Sequence, residues 1–274
     1  MKDIVIVSAC RTAIGAFGGT LKELNGATLA SVSMKGAIER AGIDPALIND
    51  VRFGCCLEHH DTLKAENAGR FWYIMGRDGM MTKVDLWQTP DKMKVANVQV
   101  AYDARDVAVS GDGKYVIGGG YWPPHFVILD AMTMEPLKVV SARGVNVDGE
   151  YVNESRVAAI YDTPNSPTWL VAMKELGQMW QVDYSDLDNL KTTKINSAKY
   201  LHDGFYDPTG RYFQIAANAS DKMVVVDTKT QKLEAMIDVD KKPHPGPGAN
   251  WNDEKCGPVG GTTHLGVGKV TVWG

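Results

Sequence analysis

The chain has 274 residues, of which 44% are hydrophobic, and this is enough for a substantial core in one large domain or two smaller ones. A net charge of -4 excludes a polyanion binder that acts through bulk charge, and we expect no nucleic acid partner. No apolar run is long enough for a transmembrane helix, so we expect no membrane partner either.

The first part of the chain, residues 1–63, predicts a small α/β unit. Residues 3–8 have the apolar pattern of a buried strand, and residues 27–41 carry apolar side chains at helical intervals before Gly42. Residues 51–54 predict a second strand, which completes a βαβ-like arrangement. The apolar run at the N-terminus is too short for the core of a signal peptide, and no small-residue cleavage site follows it.

A repeat of short β-rich runs follows from Gly69 onward. Each unit begins with glycine, a basic residue and an aromatic residue, and it ends with a β-rich run that closes on an aspartate. The basic residues are Arg70, Lys114 and Arg211, and the closing aspartates are Asp85, Asp130, Asp183 and Asp227. Intervals of 45, 53 and 44 residues between these aspartates predict four-stranded propeller blades, with a plain β-meander as the alternative.

Two histidines stand in Gly-rich turns on either side of a predicted strand pair. His202 lies in Leu201-His202-Asp203-Gly204, and His244 precedes Pro245-Gly246. A histidine in such a turn is more often a plain surface residue, because loops hold polar side chains without a function. Two imidazoles with an ordinary pKa near 6.5 are nevertheless suited to exchange protons at neutral pH.

Several stretches in order along residues 69–274 resemble the haem d1 domain of cytochrome cd1 nitrite reductase. They include Gly76-Arg77-Asp78-Gly79 and the turn around His202, and they cover residues 74–79, 84–87, 120–124, 156–160, 182–184, 189–193, 201–204 and 216–219. That domain is an eight-bladed propeller, whereas this chain has room for about five blades. The predicted fold is therefore mainly β, with an incomplete β-propeller of the haem d1 type over residues 64–274. Three explanations for the missing blades remain open. The ring is open, the N-terminal unit covers an edge of it, or the chain is a fragment.

The N-terminal unit resembles the start of thiolases, the acetyl-CoA acetyltransferases, through residues 6–12, 15–19 and 51–54. The later thiolase segments that carry the nucleophilic cysteine and its partner histidine do not follow. A cysteine nucleophile needs a base that holds it as thiolate. We therefore predict structural roles for Cys10, Cys55 and Cys56. No Cys-x-x-Cys or Cys-x-x-Cys-His spacing occurs, so the sequence predicts no haem c site.

The resemblance to the haem d1 domain assigns roles to five residues. It places His202 and His244 over the iron of haem d1 as catalytic residues. It implies that Arg77 and Arg105 bind the carboxylates of the cofactor, since a guanidinium keeps its charge at any pH. Tyr121 matches a position that lines the cofactor pocket.

The family's spacing for the iron ligand below the ring, counted back from Arg77, reaches Asp61. His60 is the preceding residue, and His59 lies one further back. Iron in haem sites favours imidazole over carboxylate, so we predict His60 as the metal ligand, with a register shift of one residue. Both histidines also belong to the segment that resembles thiolase, which leaves coincidence as the alternative.

The implied function is the one-electron reduction of nitrite to nitric oxide in denitrification, with haem d1 iron as cofactor. The resemblance implies an external electron donor, a c-type cytochrome or a cupredoxin, and a periplasmic location. Exposed sheet edges favour self-association, for example as a homodimer. The alternatives are a non-catalytic tetrapyrrole-binding propeller of haem d1 assembly, an inactive fusion or fragment, and an acyl-CoA acetyltransferase fragment.

Overall fold

The computed structural model describes residues 5–16, 19–24, 26–48, 59–62, 70–89, 91–246 and 248–274. The chain divides into two compact units, Met1–Cys56 and Leu57–Gly274. The division falls inside the segment of residues 1–63 that the sequence predicts as the N-terminal unit. No helix in the described ranges has both the length and the apolar character needed to cross a membrane.

The regular secondary structure described in the first unit is helical. Helix α1 covers Gly26–Ala41, and a short 3-10 helix covers Pro45–Leu47. Gly42 ends α1 in the left-handed region, with φ of 64°, and its N–H donates to the Ile38 carbonyl at 3.1 Å. The predicted helix is confirmed. The predicted strand over residues 3–8 is wrong in its described part: residues 5–8 form no strand, and Ile6 is 91% exposed. The predicted strand at residues 51–54 lies outside the described residues.

The second unit consists of consecutive antiparallel sheets. In the described residues there are four four-stranded sheets, β1–β4, β5–β8, β11–β14 and β15–β18, and one three-stranded sheet, β19–β21. Strands β9 and β10 form a separate small ribbon. The strands are β1 His59–Thr62, β2 Phe71–Met75, β3 Met80–Asp85, β4 Lys94–Gln99, β5 Asp103–Val109, β6 Tyr115–Trp122, β7 His125–Asp130, β8 Pro136–Ser141, β9 Gly144–Val145, β10 Tyr151–Val152, β11 Val157–Asp162, β12 Thr168–Met173, β13 Gln178–Asp183, β14 Lys191–Asn196, β15 Leu201–Tyr206, β16 Tyr212–Ala217, β17 Lys222–Asp227, β18 Lys232–Asp238, β19 Ala249–Asp253, β20 Gly257–Thr263 and β21 Val270–Trp273. These five sheets are the blades of a propeller of the haem d1 type, as predicted.

The blades are held together by side chains that leave both faces of each sheet. Neighbouring residues of a strand point to opposite faces, so a central strand that is buried throughout serves two neighbours. Val116 packs with Tyr73 and Met81 of the first blade, and the next residue, Ile117, packs with Trp169 of the third. Burial of each such side chain contributes about 1.5–3 kcal/mol.

In the first and fourth blades, the repeated arginine and the closing aspartate of the sequence form an ion pair inside the blade. Arg70 directly precedes the second strand of the first blade and donates two hydrogen bonds to Asp85, at 3.0 and 2.7 Å. Arg211 and Asp227 repeat this arrangement in the fourth blade, at 3.0 and 2.6 Å. The motif recurs because one bidentate pair joins the start of the second strand to the end of the third.

The ion pair of Asp85 predicts a pH-dependent stability. The Arg70 hydrogen bond lowers the carboxyl pKa of Asp85 from 3.8 to about 2. Because the folded-state pKa lies below the unfolded value, this contribution is complete above about pH 4 and is lost as the pH falls toward 2. We expect Asp85→Asn to lower the free energy of unfolding at pH 7, measured in urea, and the difference from the parent to narrow below about pH 4.

The control is Asp238→Asn, which removes an exposed partner of Lys222 and should change stability little at any pH. A deficit of Asp85→Asn that stays constant from pH 7 to pH 3 would contradict the assignment.

Candidate functional site

The predicted site residues lie at the same end of their blades. In a four-stranded antiparallel meander, the start of the first strand and the turn between the second and third strands share one end. Arg77 occupies the turn between β2 and β3, Tyr121 lies near the end of β6, and His202 lies near the start of β15. We call this end of the blades the site end.

In the second, third and fourth blades, the first strand is bulged near its start, at the site end. In β5, Ala104 pairs with Gly120 and Asp106 with Gly119, which leaves Arg105 as the extra residue. In β15, His202 and Asp203 together stand opposite Ala216, between the pairs Leu201–Ala217 and Gly204–Ile215. A bulge changes the direction in which a strand aims its side chains. Arg105, His202 and Asp203 thus owe their positions to local breaks in the ladder.

Asp203 joins the two histidines. Its Oδ1 lies 2.6 Å from Nδ1 of His202, and its Oδ2 lies 3.1 Å from Nε2 of His244. The two imidazole rings are 4.9 Å apart between centroids. The three side chains are 21–33% exposed, which leaves them accessible to a ligand. The structure therefore brings the two predicted histidines together through a carboxylate that the sequence analysis did not single out.

Backbone contacts hold His244 in place, although it lies between blades. Its N–H donates to the Thr263 carbonyl at 2.9 Å, and the Thr263 hydroxyl donates to the His244 carbonyl at 2.7 Å. The neighbouring Pro243 forms an isolated bridge with His264. The loop is thus attached to β20 of the fifth blade, whereas His202 belongs to the fourth.

A cluster of cations surrounds Tyr121. The Arg105 guanidinium lies 4.3 Å from the ring centroid, that of Arg156 lies 5.5 Å away, and the Lys174 ammonium lies 6.0 Å away. Arg105 also bonds to Asp103, and Arg156 donates to Glu175 at 2.6 Å. A cavity of about 590 Å³ opens beside this cluster. An aromatic ring framed by cations suits a planar ligand with negative groups.

Electrostatics connect the cation cluster to the histidine pair. Burial lowers the pKa of Lys174 below 10.5, and repulsion from Arg156 adds to this, while attraction to Glu175 and Asp203 opposes it. Burial likewise raises the pKa of Tyr121 above 10.0, against the effect of Arg105 and Arg156. Lys174 thus interacts electrostatically with both groups, which lie at the same end of their blades.

Two predicted residues have no described contact with this site. Arg77 is exposed in its turn, and the turn requires glycine at Gly79, where φ is 80° and a Cβ would lie 1.9 Å from the Ala101 carbonyl oxygen. The backbone of His60 pairs with Ile74 in the first blade, but its side chain and that of Asp61 are outside the described residues. The prediction that His60 is a metal ligand therefore stays a prediction.

Three residues of the site were not predicted from the sequence: Asp203, Arg156 and Lys174. Asp203 and Arg156 belong to stretches that carry the resemblance, but the sequence analysis assigned them no role. Lys174 follows a buried strand and had no such signal. The ligand atoms of His202, Asp203 and His244 lie within 4.8 Å of one another, near enough to share one metal ion. The cations around Tyr121 favour an anionic ligand instead.

Comparison with known families gives two matches. Residues 46–274 match the family model of the Cytochrome D1 heme domain, and residues 4–84 match that of the Thiolase, N-terminal domain. The two matches share residues 46–84. The predicted resemblances, to the haem d1 domain and to the start of thiolase, are both confirmed.

Individual relatives agree with these matches. The chain is 54% identical to a nitrite reductase of Stutzerimonas stutzeri over 75% of its own length and 37% of the relative's. It is 30% identical to a dihydro-heme d1 dehydrogenase of Pseudomonas aeruginosa, over 70% of this chain and 37% of that protein. An acetyl-CoA acetyltransferase of Syntrophomonas wolfei is 26% identical over 88% of this chain and 56% of its own length. The chain thus spans well under two thirds of each relative.

Solved structures show the same propeller architecture. Dihydro-heme d1 dehydrogenase NirN in complex with DHE superposes with a TM-score of 0.63 at 28% identity, over 74% of this chain and 42% of that one. The hydrazine synthase of Kuenenia stuttgartiensis superposes with a TM-score of 0.54 at 13% identity, over 77% of this chain and 69% of that one. The second likeness concerns the fold alone.

The position of Lys174 between the cations predicts an unusual titration. We expect its ammonium to lose a proton at lower pH than exposed lysines, because burial and Arg156 both disfavour the charged form. Reductive methylation with a carbon-13 label and NMR titration measure this, with Lys174→Arg to assign the signal. In Arg156→Gln, the pKa of Lys174 should rise toward its ordinary value.

Lys83 of the first blade is a matched control, because burial lowers its pKa as well and Arg156 is not among the causes of that shift. Its titration should be the same in Arg156→Gln and in the parent. If Lys174 titrates with the exposed lysines in the parent, the cation cluster does not have the arrangement described.

Proposed function

This chain belongs to the family of the cytochrome D1 heme domain, and we propose that its propeller binds haem d1 and reduces nitrite to nitric oxide. The observation that carries the proposal is the pair His202 and His244, linked through Asp203 beside a cluster of cations. Such a site combines proton donors with positive charge for an anionic substrate. The reaction takes up one electron and two protons and releases water.

The residues of the site fit a tetrapyrrole that carries carboxylates. Arg105 and Arg156 keep their charge at any pH, and the ring of Tyr121 offers a flat apolar surface between them. Arg105, Arg156 and Lys174 would hold the carboxylates, and Tyr121 would contact an edge of the macrocycle. Arg77 and His60, predicted for the same cofactor, remain part of the proposal without a described contact.

Protons are the contribution of this chain to the chemistry. A bound haem d1 supplies the one-electron redox step at iron, which protein side chains cannot supply. Cleavage of the N–O bond of nitrite requires a protonated oxygen, because hydroxide and water leave far more easily than oxide. His202 and His244 are the groups that donate these protons, and they stabilise the bound anion while they are charged.

The electron donor and the location follow from the same proposal. We propose an external one-electron donor, a c-type cytochrome or a cupredoxin, and a periplasmic site of action. A homodimer remains part of the proposal as well. Each of these concerns the whole protein, of which the chain spans 37% in the nitrite reductase it matches.

A second candidate is a propeller of haem d1 assembly. It is favoured by the likeness to dihydro-heme d1 dehydrogenase, and by 28% identity to Protein NirF of Pseudomonas aeruginosa over 61% of this chain and 41% of that protein. Both candidates predict tetrapyrrole binding. Only the first predicts nitric oxide from nitrite and a reductant.

An acyl-CoA function would rest on the N-terminal unit. Residues 1–56 contain no histidine that could activate Cys10, Cys55 or Cys56 within the unit. The thiolase match therefore supports common ancestry of that segment and gives little support for transferase activity.

Cofactor binding tests the proposal first. We expect the protein to take up haem d1, measured by the change in its visible and near-infrared absorbance on titration. Arg105→Gln should raise the dissociation constant about tenfold or more, because a charged hydrogen bond to a carboxylate is lost. The control Lys229→Gln removes a charge from an exposed residue at the opposite end of the fourth blade and should leave affinity unchanged. Equal affinities of parent and Arg105→Gln would count against this pocket.

The histidine pair predicts a defined kinetic pattern. We expect His202→Ala and His244→Ala each to lower nitrite reduction by about 100-fold or more, while haem d1 affinity is kept. The double variant should be little slower than the slower single one, since residues that act as a unit are not additive. The measurement is nitric oxide release with an artificial donor in excess. Full activity of either single variant refutes the assignment.

A further inference from the structure

Asp203 is the group that organises the histidine pair. We propose that Asp203 is a positioning residue whose two oxygens fix opposite tautomers, Nδ1–H in His202 and Nε2–H in His244. The atoms that exchange protons with a ligand are then Nε2 of His202 and Nδ1 of His244. The consequence for nitrite rests on the proposed function, whereas the tautomers are a property of the protein without cofactor or substrate.

The assignment of tautomers follows from hydrogen-bond chemistry. An ionised carboxylate accepts hydrogen bonds and donates none, so each nitrogen that faces it must carry a hydrogen. Oδ1 of Asp203 faces Nδ1 of His202 at 2.6 Å, and Oδ2 faces Nε2 of His244 at 3.1 Å. In a neutral imidazole the other nitrogen is then a bare acceptor. The two neighbouring rings, 4.9 Å apart between centroids, thus keep chemically different nitrogens free of Asp203.

The fold accounts for the contact between two adjacent residues. In a regular strand, the side chains of His202 and Asp203 would point to opposite faces. The bulge opposite Ala216 removes this alternation and lets the two side chains meet. On the other side of Asp203, the Gly204 N–H donates to the Tyr161 hydroxyl of the third blade at 3.1 Å. The backbone of Asp203 is therefore anchored to its own blade and to the neighbouring one.

Gly204 is required for this anchor. A Cβ at that position would lie 2.6 Å from both the Gln214 carbonyl oxygen and the Phe213 ring. The contact brings the bulged segment close to β16, and the carboxylate of Asp203 is held within reach of both imidazoles. From other elements, the ammonium of Lys174 attracts this carboxylate, and the neutral, buried hydroxyl of Tyr161 lies within its electrostatic reach.

Fixed tautomers leave each histidine one ring nitrogen that can exchange a proton with a ligand. A charged His202 that donates its Nε2 proton keeps its Nδ1–H on Asp203, so it returns to the same tautomer without turning its ring. His244 donates from Nδ1 and keeps its Nε2–H in the same way. Without the carboxylate, either neutral ring would sample both tautomers, and part of the population would present an N–H where an acceptor is needed for reprotonation.

Nitrogen-15 NMR of the imidazole rings tests the assignment directly. The full chain, labelled at histidine, is measured without haem, at pH 8 and with a chelator, so that no metal ion occupies the three ligand atoms. His202→Gln and His244→Gln assign the two signals. We expect one Nδ1–H ring at His202 and one Nε2–H ring at His244.

Substitutions of Asp203 sharpen the test. Asp203→Asn keeps the shape but offers one acceptor oxygen and one donor group, so one of the two rings should invert its tautomer. In Asp203→Ala both rings should lose their fixed tautomers. Glu154→Gln removes another carboxylate beside the cation cavity and should change neither ring. Tautomers that are the same in the parent and in Asp203→Ala would overturn the proposal.

Activity separates this inference from the proposed function. In the haem-loaded protein, Asp203→Ala should slow nitrite reduction about 10–100-fold, the range for loss of an orienting partner, with unchanged cofactor affinity. If the parent shows the expected tautomers and they depend on Asp203, but it reduces no nitrite, the proposed function fails and the positioning role stands. If the parent reduces nitrite and Asp203→Ala keeps both its rate and its tautomers, the positioning role fails.

Discussion

The central strands of the second, third and fourth blades are buried on both faces, and the remaining features of the second unit depend on this constraint. A sheet with two apolar faces cannot be stable alone, so each blade needs a neighbour on either side. Trp169 shows the effect, since its ring is fully buried among side chains of the second and third blades. Because the faces are occupied by packing, polar chemistry is confined to the ends of the blades, where strands begin and turn.

Bulged first strands allow different side chains to occupy one of these ends while the packing of the core is unchanged. Arg105 in β5, Ala158 in β11 and the pair His202 and Asp203 in β15 occupy comparable places, where the ladder to the second strand shifts register. The same local irregularity thus presents a cation, a small apolar residue and an acid–base group in successive blades. Below each bulge the strands return to regular pairing, so the site can change while the packing between blades is kept.

The blades could be predicted from sequence because their signals are local and repeated. The pairing of Arg70 with Asp85 recurs in the chain as a motif, and α1 ends at a glycine that marks its terminus. The strand predicted at residues 3–8 was wrong over its described residues 5–8, because an apolar run does not by itself ensure burial: Ile6 is largely exposed. The histidines were found through a resemblance. Asp203 was missed because an aspartate before a glycine is typical of any turn, and only the bulge turns it toward both rings.

The charges of the site explain why proton supply and anion binding belong together. Arg105 and Arg156 are each paired with a carboxylate, whereas Lys174 interacts electrostatically with both Glu175 and Asp203. With both histidines neutral, Asp203 adds a negative charge beside the place where an anion would bind. At 4 Å, two like charges repel by about 4 kcal/mol in a medium of intermediate polarity. A proton on either imidazole cancels that charge, so the state that binds an anion well is also the state that is ready to protonate it.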